Sequence, residues 1–179
     1  MKRNIFRLLL SAVLMMCCTV SALAQLVMPP NNEIWYTTTD GKICDKFENR
    51  YFGVEVTEHK YDPNGHGTIK FKGDLTRFGE YAFYLCANLA SVIIPGSVTS
   101  IGFGAFCDCD NLALVIIPGS VTSIEYMAFG NCPKLHEIFY LGNSDVTLDP
   151  QYDTFGKTTT MLNTQKMIIR SRQKGHVLG

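Results

Sequence analysis

The residues with the most chemical potential are the cysteines. Cys44, Cys86, Cys107, Cys109 and Cys132 lie in the body of the chain, and Cys17 and Cys18 near its start. Thiols can ligate a metal, act as nucleophiles or pair as disulfides, and spacing separates these uses. Cys86, Cys109 and Cys132 recur every 23 residues. A metal site that also used Cys107 lacks partners. Cys107-Asp108-Cys109 is a C-x-C rather than the usual C-x-x-C, and none of His59, His66, His136 and His176 shares the period. A stacked column of buried, semi-apolar thiols accounts for the period instead, because free cysteine is among the most buried residue types. Cys44 and Cys107 stand outside that column. A disulfide between them is one arrangement open to an exported chain.

Other constellations are weaker. No serine sits in a G-x-S-x-G elbow. Gly102-Phe103-Gly104 lacks the third glycine of a dinucleotide fingerprint. Asp62-Pro63-Asn64-Gly65-His66-Gly67 imitates the start of a calcium loop, but Gly73 stands where the bidentate carboxylate is needed, so a turn is expected. Asp108-Cys109-Asp110-Asn111 reads as a solvated loop, and no carboxylate pair is placed for acid–base work. The reading is therefore not an enzyme, with no cofactor and no metal.

The cysteine period belongs to a larger repeat. Residues 75–97, 98–120 and 121–143 align without gaps, the first two windows agreeing at 14 of 23 positions and the last two at 9. Leu89, Val92 and Ile94 follow an L-x-x-L-x-L spacing, as do Leu112, Val115 and Ile117, then Leu135, Ile138 and Tyr140. A period of 23 lies within the roughly 20–29 residues of leucine-rich repeats. Strand alternation sends Val92 and Ile94 inward and Ile93 outward. Pro95-Gly96-Ser97 and Pro118-Gly119-Ser120 turn the chain. Val98 and Ile101 form a second inward pair, and Ala82-Phe83, Ala105-Phe106 and Ala128-Phe129 place one large ring in each coil. One coil cannot bury such a face alone, but stacked coils bury it against one another. The fold class predicted is an α/β-type repeat solenoid, with short parallel strands on one face, turns and short helical segments on the other, and a small β-rich amino-terminal cap.

Organisation follows from that stack. Lys2, Arg3 and Arg7, the apolar run from Leu8, and Ala22-Leu23-Ala24 read as a secretory signal peptide over residues 1–24. Its uncharged stretch from Leu8 to Leu23 is 16 residues, short of the roughly 20 that a membrane helix needs. Residues 25–65 are the cap: Ile34 to Thr39 with Asp40-Gly41 give a hairpin signal, and Val54, Val56 and His59 a further strand before Pro63-Asn64-Gly65. Residues 66–157 are the solenoid, about four coils, and residues 158–179 a closing coil whose strand is Met167-Ile168-Ile169. Removing the leader leaves 13 basic and 16 acidic side chains, a formal charge of −3, with no basic block. Nucleic acid and membrane insertion are therefore not expected.

At these residues the chain resembles the BspA-like leucine-rich repeat proteins, whose unit reads roughly L-x-x-I-x-I-P-x-S-V-T-S-I-G-x-x-A-F-x-x-C-x-N. Val92 to Pro95, Ser97 to Gly102, Ala105-Phe106 and Cys109 match it in order, and the likeness covers about residues 32–157. Leu141 and Tyr140 depart from it, replacing the proline and an isoleucine. The resemblance implies a secreted or surface protein that binds proteins or glycans and has no catalytic residues, with a structural or self-assembly role as the alternative. A monomer or weak self-association is expected.

The same period suggests a contact surface. Lys70, Ile93, Ile116 and Phe139 form one outward column, and Thr68, Ser91, Leu114 and Glu137 its neighbour. Lys70, Ile93, Leu114, Ile116, Glu137 and Phe139 are the candidate ligand-binding residues, because an exposed apolar stripe often marks a partner site. If the stripe faces solvent, Ile116→Asp with Phe139→Asp removes binding and leaves the fold intact.

Overall fold

The structure, a computed structural model, describes residues 27–44, 46–47, 51–142, 147–148 and 160–163. The signal peptide expected at residues 1–24, and Met167-Ile168-Ile169, lie outside the described residues.

Two sheets face each other across one core. The larger contains β1 (Glu33–Thr38), β2 (Val56–Tyr61), β3 (Gly67–Phe71), β5 (Leu89–Ile93), β7 (Leu114–Ile117), β9 (Glu137–Tyr140) and β11 (Thr160–Asn163), in the order β11-β9-β7-β5-β1-β3-β2. From β5 to β11 the strands are parallel and advance one coil per step, with Ile93 beside Ile116 and Ile116 beside Phe139. The smaller sheet is parallel throughout. It is built from two-residue strands β4 (Arg77–Phe78), β6 (Ser100–Ile101), β8 (Ser123–Ile124) and β10 (Thr147–Leu148).

Short helical segments were expected on that second face, and the described residues contain no α-helix. The reason lies in where the amides point. Tyr81, Phe83 and Leu85 donate to the carbonyls of Phe103, Ala105 and Cys107 in the next coil, and Gly104, Phe106 and Asp108 donate onward to Tyr126, Ala128 and Gly130. An α-helix would turn the same donors back to its own residue i−4. Here the stack satisfies them, as buried amides require.

Inward alternation supplies the core. Phe83, Phe106 and Phe129 are fully buried and stack with centroids 5.3 and 5.2 Å apart and planes within 5° and 2°. That spacing is close to the ~4.8 Å separation of neighbouring strands, so identical rings at one position of each coil stack in register. Thr99 and Thr122 repeat a main-chain and side-chain bond to Thr76 and Thr99, while Ser97 and Ser120 bond Leu75 and Val98 at 2.6 Å. The departing third unit is also satisfied. The Tyr140 hydroxyl donates to the Val121 carbonyl, and Leu141 offers Ile117 an amide that proline lacks.

The amino-terminal segment completes the stack by imitating a coil. Cys44 is disulfide-bonded to Cys86, Phe47 stacks on Phe83 at 6.2 Å, and Asn88 donates to the Ile43 carbonyl. One coil on, Asn111 makes the equivalent bond to Ala87. The hairpin is β2–β3, closed through Asp62 to His66; Asp40-Gly41 instead sends the chain from β1 towards Cys44. β1 slots antiparallel between β3 and β5, and Gly67 faces the Tyr36 ring so closely that no Cβ fits.

Truncating the central ring should be costly. Phe106→Ala is expected to lower unfolding free energy by about 3–5 kcal/mol, the range for deleting a buried aromatic, read from urea denaturation midpoints. A loss below about 1 kcal/mol would mean that the stack does not carry the fold.

Candidate functional site

The expected outward stripe exists as a row but differs in two respects from an exposed stripe. First, Lys70 does not stand beside Ile93. β1 intervenes, so Trp35 is the neighbour of Ile93 and Lys70 lies opposite Glu33, with its ammonium 3.6 Å from the Glu33 carboxylate. Second, the apolar members are not exposed. Ile93, Leu114, Ile116 and Phe139 form a second apolar cluster, separate from the core, with exposures of 2%, 2%, 0% and 1%. Met28, Trp35 and Leu141 pack against it. Glu137, beside Leu114, is half-buried. Alternation does set this row apart from the core, but the period carries no information about residues such as Met28 and Trp35 that pack on it from outside the repeat. Ile116→Asp with Phe139→Asp therefore places two carboxylates in an apolar cluster rather than on a surface, at a cost of several kcal/mol each.

The cysteines are also distributed differently. Cys44 bonds Cys86, with Cα atoms 6.1 Å apart, and not Cys107. Cys86 is therefore no free thiol, and the reduced part of the column is Cys109 and Cys132. Cys107 donates to the Asp108 carboxylate at 3.4 Å; burial first, and that carboxylate second, push its thiol up to about 12. The thiols of Cys109 and Cys132 act on each other, which raises Cys109 and lowers Cys132. Among the described residues no group of three or more His, Cys, Asp or Glu side chains is arranged to hold a metal ion.

Among the described residues the exposed large apolar side chains are Val27 and Ile43 in the amino-terminal segment and Tyr84 and Leu85 on the turn side of the coils. Tyr81 touches Tyr84 with centroids 5.3 Å apart and Phe103 at 5.0 Å, and Phe103 touches Tyr126 at 5.5 Å. Tyr84 and the neighbouring Leu85 are 38% and 48% exposed; Tyr81, Phe103, Tyr126 and Met127 are half-buried. Carboxylates border this ridge. Glu80 is exposed, Glu125 accepts the Phe103 amide at 3.0 Å, and Asp108 accepts from Asn131 at 3.0 Å.

The backbone beneath the ridge is unusual. Each coil turns through the left-handed region twice, at Tyr81, Gly104 and Met127 with φ of 58°, 58° and 51°, and at Leu85, Asp108 and Asn131 with φ of 59°, 59° and 52°. Glycine, asparagine and aspartate accept this conformation readily, whereas other residues bear roughly 1–2 kcal/mol each. Gly104 is doubly constrained, since a Cβ there would come within 3.0 Å of the Tyr81 ring. Tyr81, Leu85 and Met127 bear the strain and are among the apolar side chains that surface here. Phe103 and Tyr126 share one position of the period, but Tyr81 stands one position out of step with them, so the period alone does not gather the ridge. The visible signal was a bulky residue where a neighbouring coil has glycine or asparagine.

With this geometry established, comparison with known proteins fixes the family. The family described as BspA type leucine rich repeat region matches residues 63–158, in six copies, which is more than half of the chain. The chain belongs to this family. A solved leucine-rich repeat protein from Bacteroides capillosus is similar at 25% identity, covering 75% of this chain and 97% of that one, with a TM-score of 0.43. No curated protein matches. Leucine-rich repeat domains are protein-binding modules, and the family assigns this chain to that broad class. No helix among the described residues is long and apolar enough to cross a membrane.

The burial of the outer row makes its mutation a test of packing. Ile116→Asp with Phe139→Asp in the full chain is expected to abolish the cooperative thermal transition. A well-folded double variant with an unchanged melting temperature would show the row to be open to solvent.

Proposed function

We propose that this chain is an exported binding protein of the bacterial surface that docks a protein partner on the aromatic ridge of Tyr81, Tyr84, Leu85, Phe103 and Tyr126. One observation carries the reading: bulky apolar residues stand at left-handed positions where other coils have Gly104, Asp108 and Asn131. Strain retained at an exposed site invites a functional explanation. Tyrosine is suited to such contacts, bringing large contact area with a polar tip, and is enriched at interface hot spots. Export rests on the leader pattern of residues 1–24 and agrees with the Cys44–Cys86 disulfide, a bond that persists in oxidising compartments. A glycan is the other ligand class, since exposed rings can also stack on sugars.

A second reading keeps the strand face as the contact surface, through Lys70, Ile93, Leu114, Ile116, Glu137 and Phe139. The separate apolar cluster formed by four of these residues favours it. On this reading the partner replaces whatever packs on the row.

The two readings separate experimentally. Tyr81→Gly with Leu85→Asn places at these positions the residue types that other coils use there, Gly104 and Asn131, so it is expected to raise stability by about 1 kcal/mol as strain is relieved, while weakening capture at least tenfold. Melting temperature and surface plasmon resonance against a panel of purified extracellular-matrix proteins and defined glycans give both numbers. Higher stability with undiminished capture would move the contact surface to the strand face.

A further inference from the structure

The cysteine column carries a consequence that does not depend on the ligand. Its members lie along the stacking axis. Cys44 stands in the position before Cys86 that the missing coil would supply, and Cys109 and Cys132 follow at one coil each. The first step of the column is a disulfide, whereas the last two cysteines are reduced. Both reduced sulfurs sit in the same place relative to the preceding coil. Cys109 Sγ donates to the Phe83 carbonyl at 3.2 Å and Cys132 Sγ to the Phe106 carbonyl at 3.0 Å, and each thiol shifts the protonation of the other.

We propose that Cys109 and Cys132 are a disulfide-forming site, closed by a disulfide oxidant into a second staple along the column. The backbone around them already holds the required approach. Phe106 donates to Ala128 at 2.7 Å and Asp108 to Gly130 at 3.0 Å, so the coils are paired just before both cysteines. Paired strands lie about 4.8 Å apart, inside the roughly 4.4–6.8 Å Cα separation that a disulfide spans. Cys107 has no such role. It lies outside the 23-residue spacing of the column, and its thiol donates to the Asp108 carboxylate.

The chemistry is a two-step exchange. Cys132 is the more accessible sulfur, 5% exposed against 0% for Cys109, and the neighbouring Cys109 thiol favours its thiolate. Its thiolate attacks one sulfur of the oxidant disulfide, the oxidant S–S bond breaks, and one thiolate leaves and takes up the proton that Cys132 released. Cys109 then attacks Cys132 Sγ in the mixed disulfide, and the second oxidant sulfur leaves with the Cys109 proton. Two protein thiols are oxidised and one disulfide is reduced to two thiols, so atoms and electrons balance. The product ties the coil bearing Phe103 to the coil bearing Tyr126, as Cys44–Cys86 ties the amino-terminal segment to the coil bearing Tyr81.

The test is a site-resolved thiol map. The full chain is reduced, unfolded and refolded in mixed oxidised and reduced glutathione, with return of the urea midpoint as the check on refolding. It is then alkylated in denaturant and digested without reductant by proteases that cut before aspartate and after aromatic residues, which separates Cys107 from Cys109 at Asp108, and fragmentation mass spectrometry assigns each linkage and keeps Cys17-Cys18 apart from the other five. The expected map has a linked Cys44–Cys86 peptide, a linked Cys109–Cys132 peptide about 2 Da lighter than its reduced components, and alkylation at Cys107. Cys132→Ser should leave Cys109 alkylated and Cys44–Cys86 intact. Alkylation of both Cys109 and Cys132 in the refolded parent chain, or linkage of either to Cys86, overturns the proposal.

Discussion

The constraint beneath this structure is the coincidence of two lengths. Neighbouring strands of a sheet are about 4.8 Å apart, and aromatic rings pack well at little more than that. Phe83, Phe106 and Phe129 meet at 5.3 and 5.2 Å, nearly coplanar, because every coil has the same number of residues. Changing the length of one coil would shift its ring, its serine and its threonine out of line together. Hydrogen bonds from Ser97, Thr99, Ser120 and Thr122 to the preceding coil depend on the same register. Side chain and backbone thus enforce one spacing, and the outward surfaces inherit it.

A stack with this logic has an end problem, since its first coil exposes a ring, a sulfur and a carbonyl-seeking asparagine. The amino-terminal segment answers each in kind. Phe47 covers Phe83, Cys44 takes Cys86, and the Ile43 carbonyl takes Asn88. β1 then shields the free edge of β5, and the β2–β3 hairpin extends the sheet beyond it. The segment is not a repeat in sequence, yet it offers the first coil what a preceding coil would have offered.

The two faces of the solenoid accept different compromises. On the strand side, alternation leaves an apolar row that is almost as buried as the core, so it adds to stability as it stands. On the turn side, the coil bends through left-handed residues to aim its amides at the next coil. Glycine and asparagine meet that demand cheaply in some coils, while tyrosine, leucine and methionine meet it at a cost in others. Strain and exposed aromatic area coincide on one surface.

The sequence by itself determined the period, the inward and outward faces of each strand, the ring stack and the cysteine column, because each depends only on residue type at a fixed interval. The same interval misled wherever a non-repeating segment entered. β1 separated Lys70 from Ile93, Cys44 claimed Cys86 rather than Cys107, and the row of Ile93, Ile116 and Phe139 became buried. The helical segments expected on the second face are turns following two-residue strands, because the amides there bond between coils. These outcomes were decided by tertiary structure alone. Pairing between residues far apart in the chain depends on which edge is free and which donor is unsatisfied once the coils have stacked, and no local spacing encodes that.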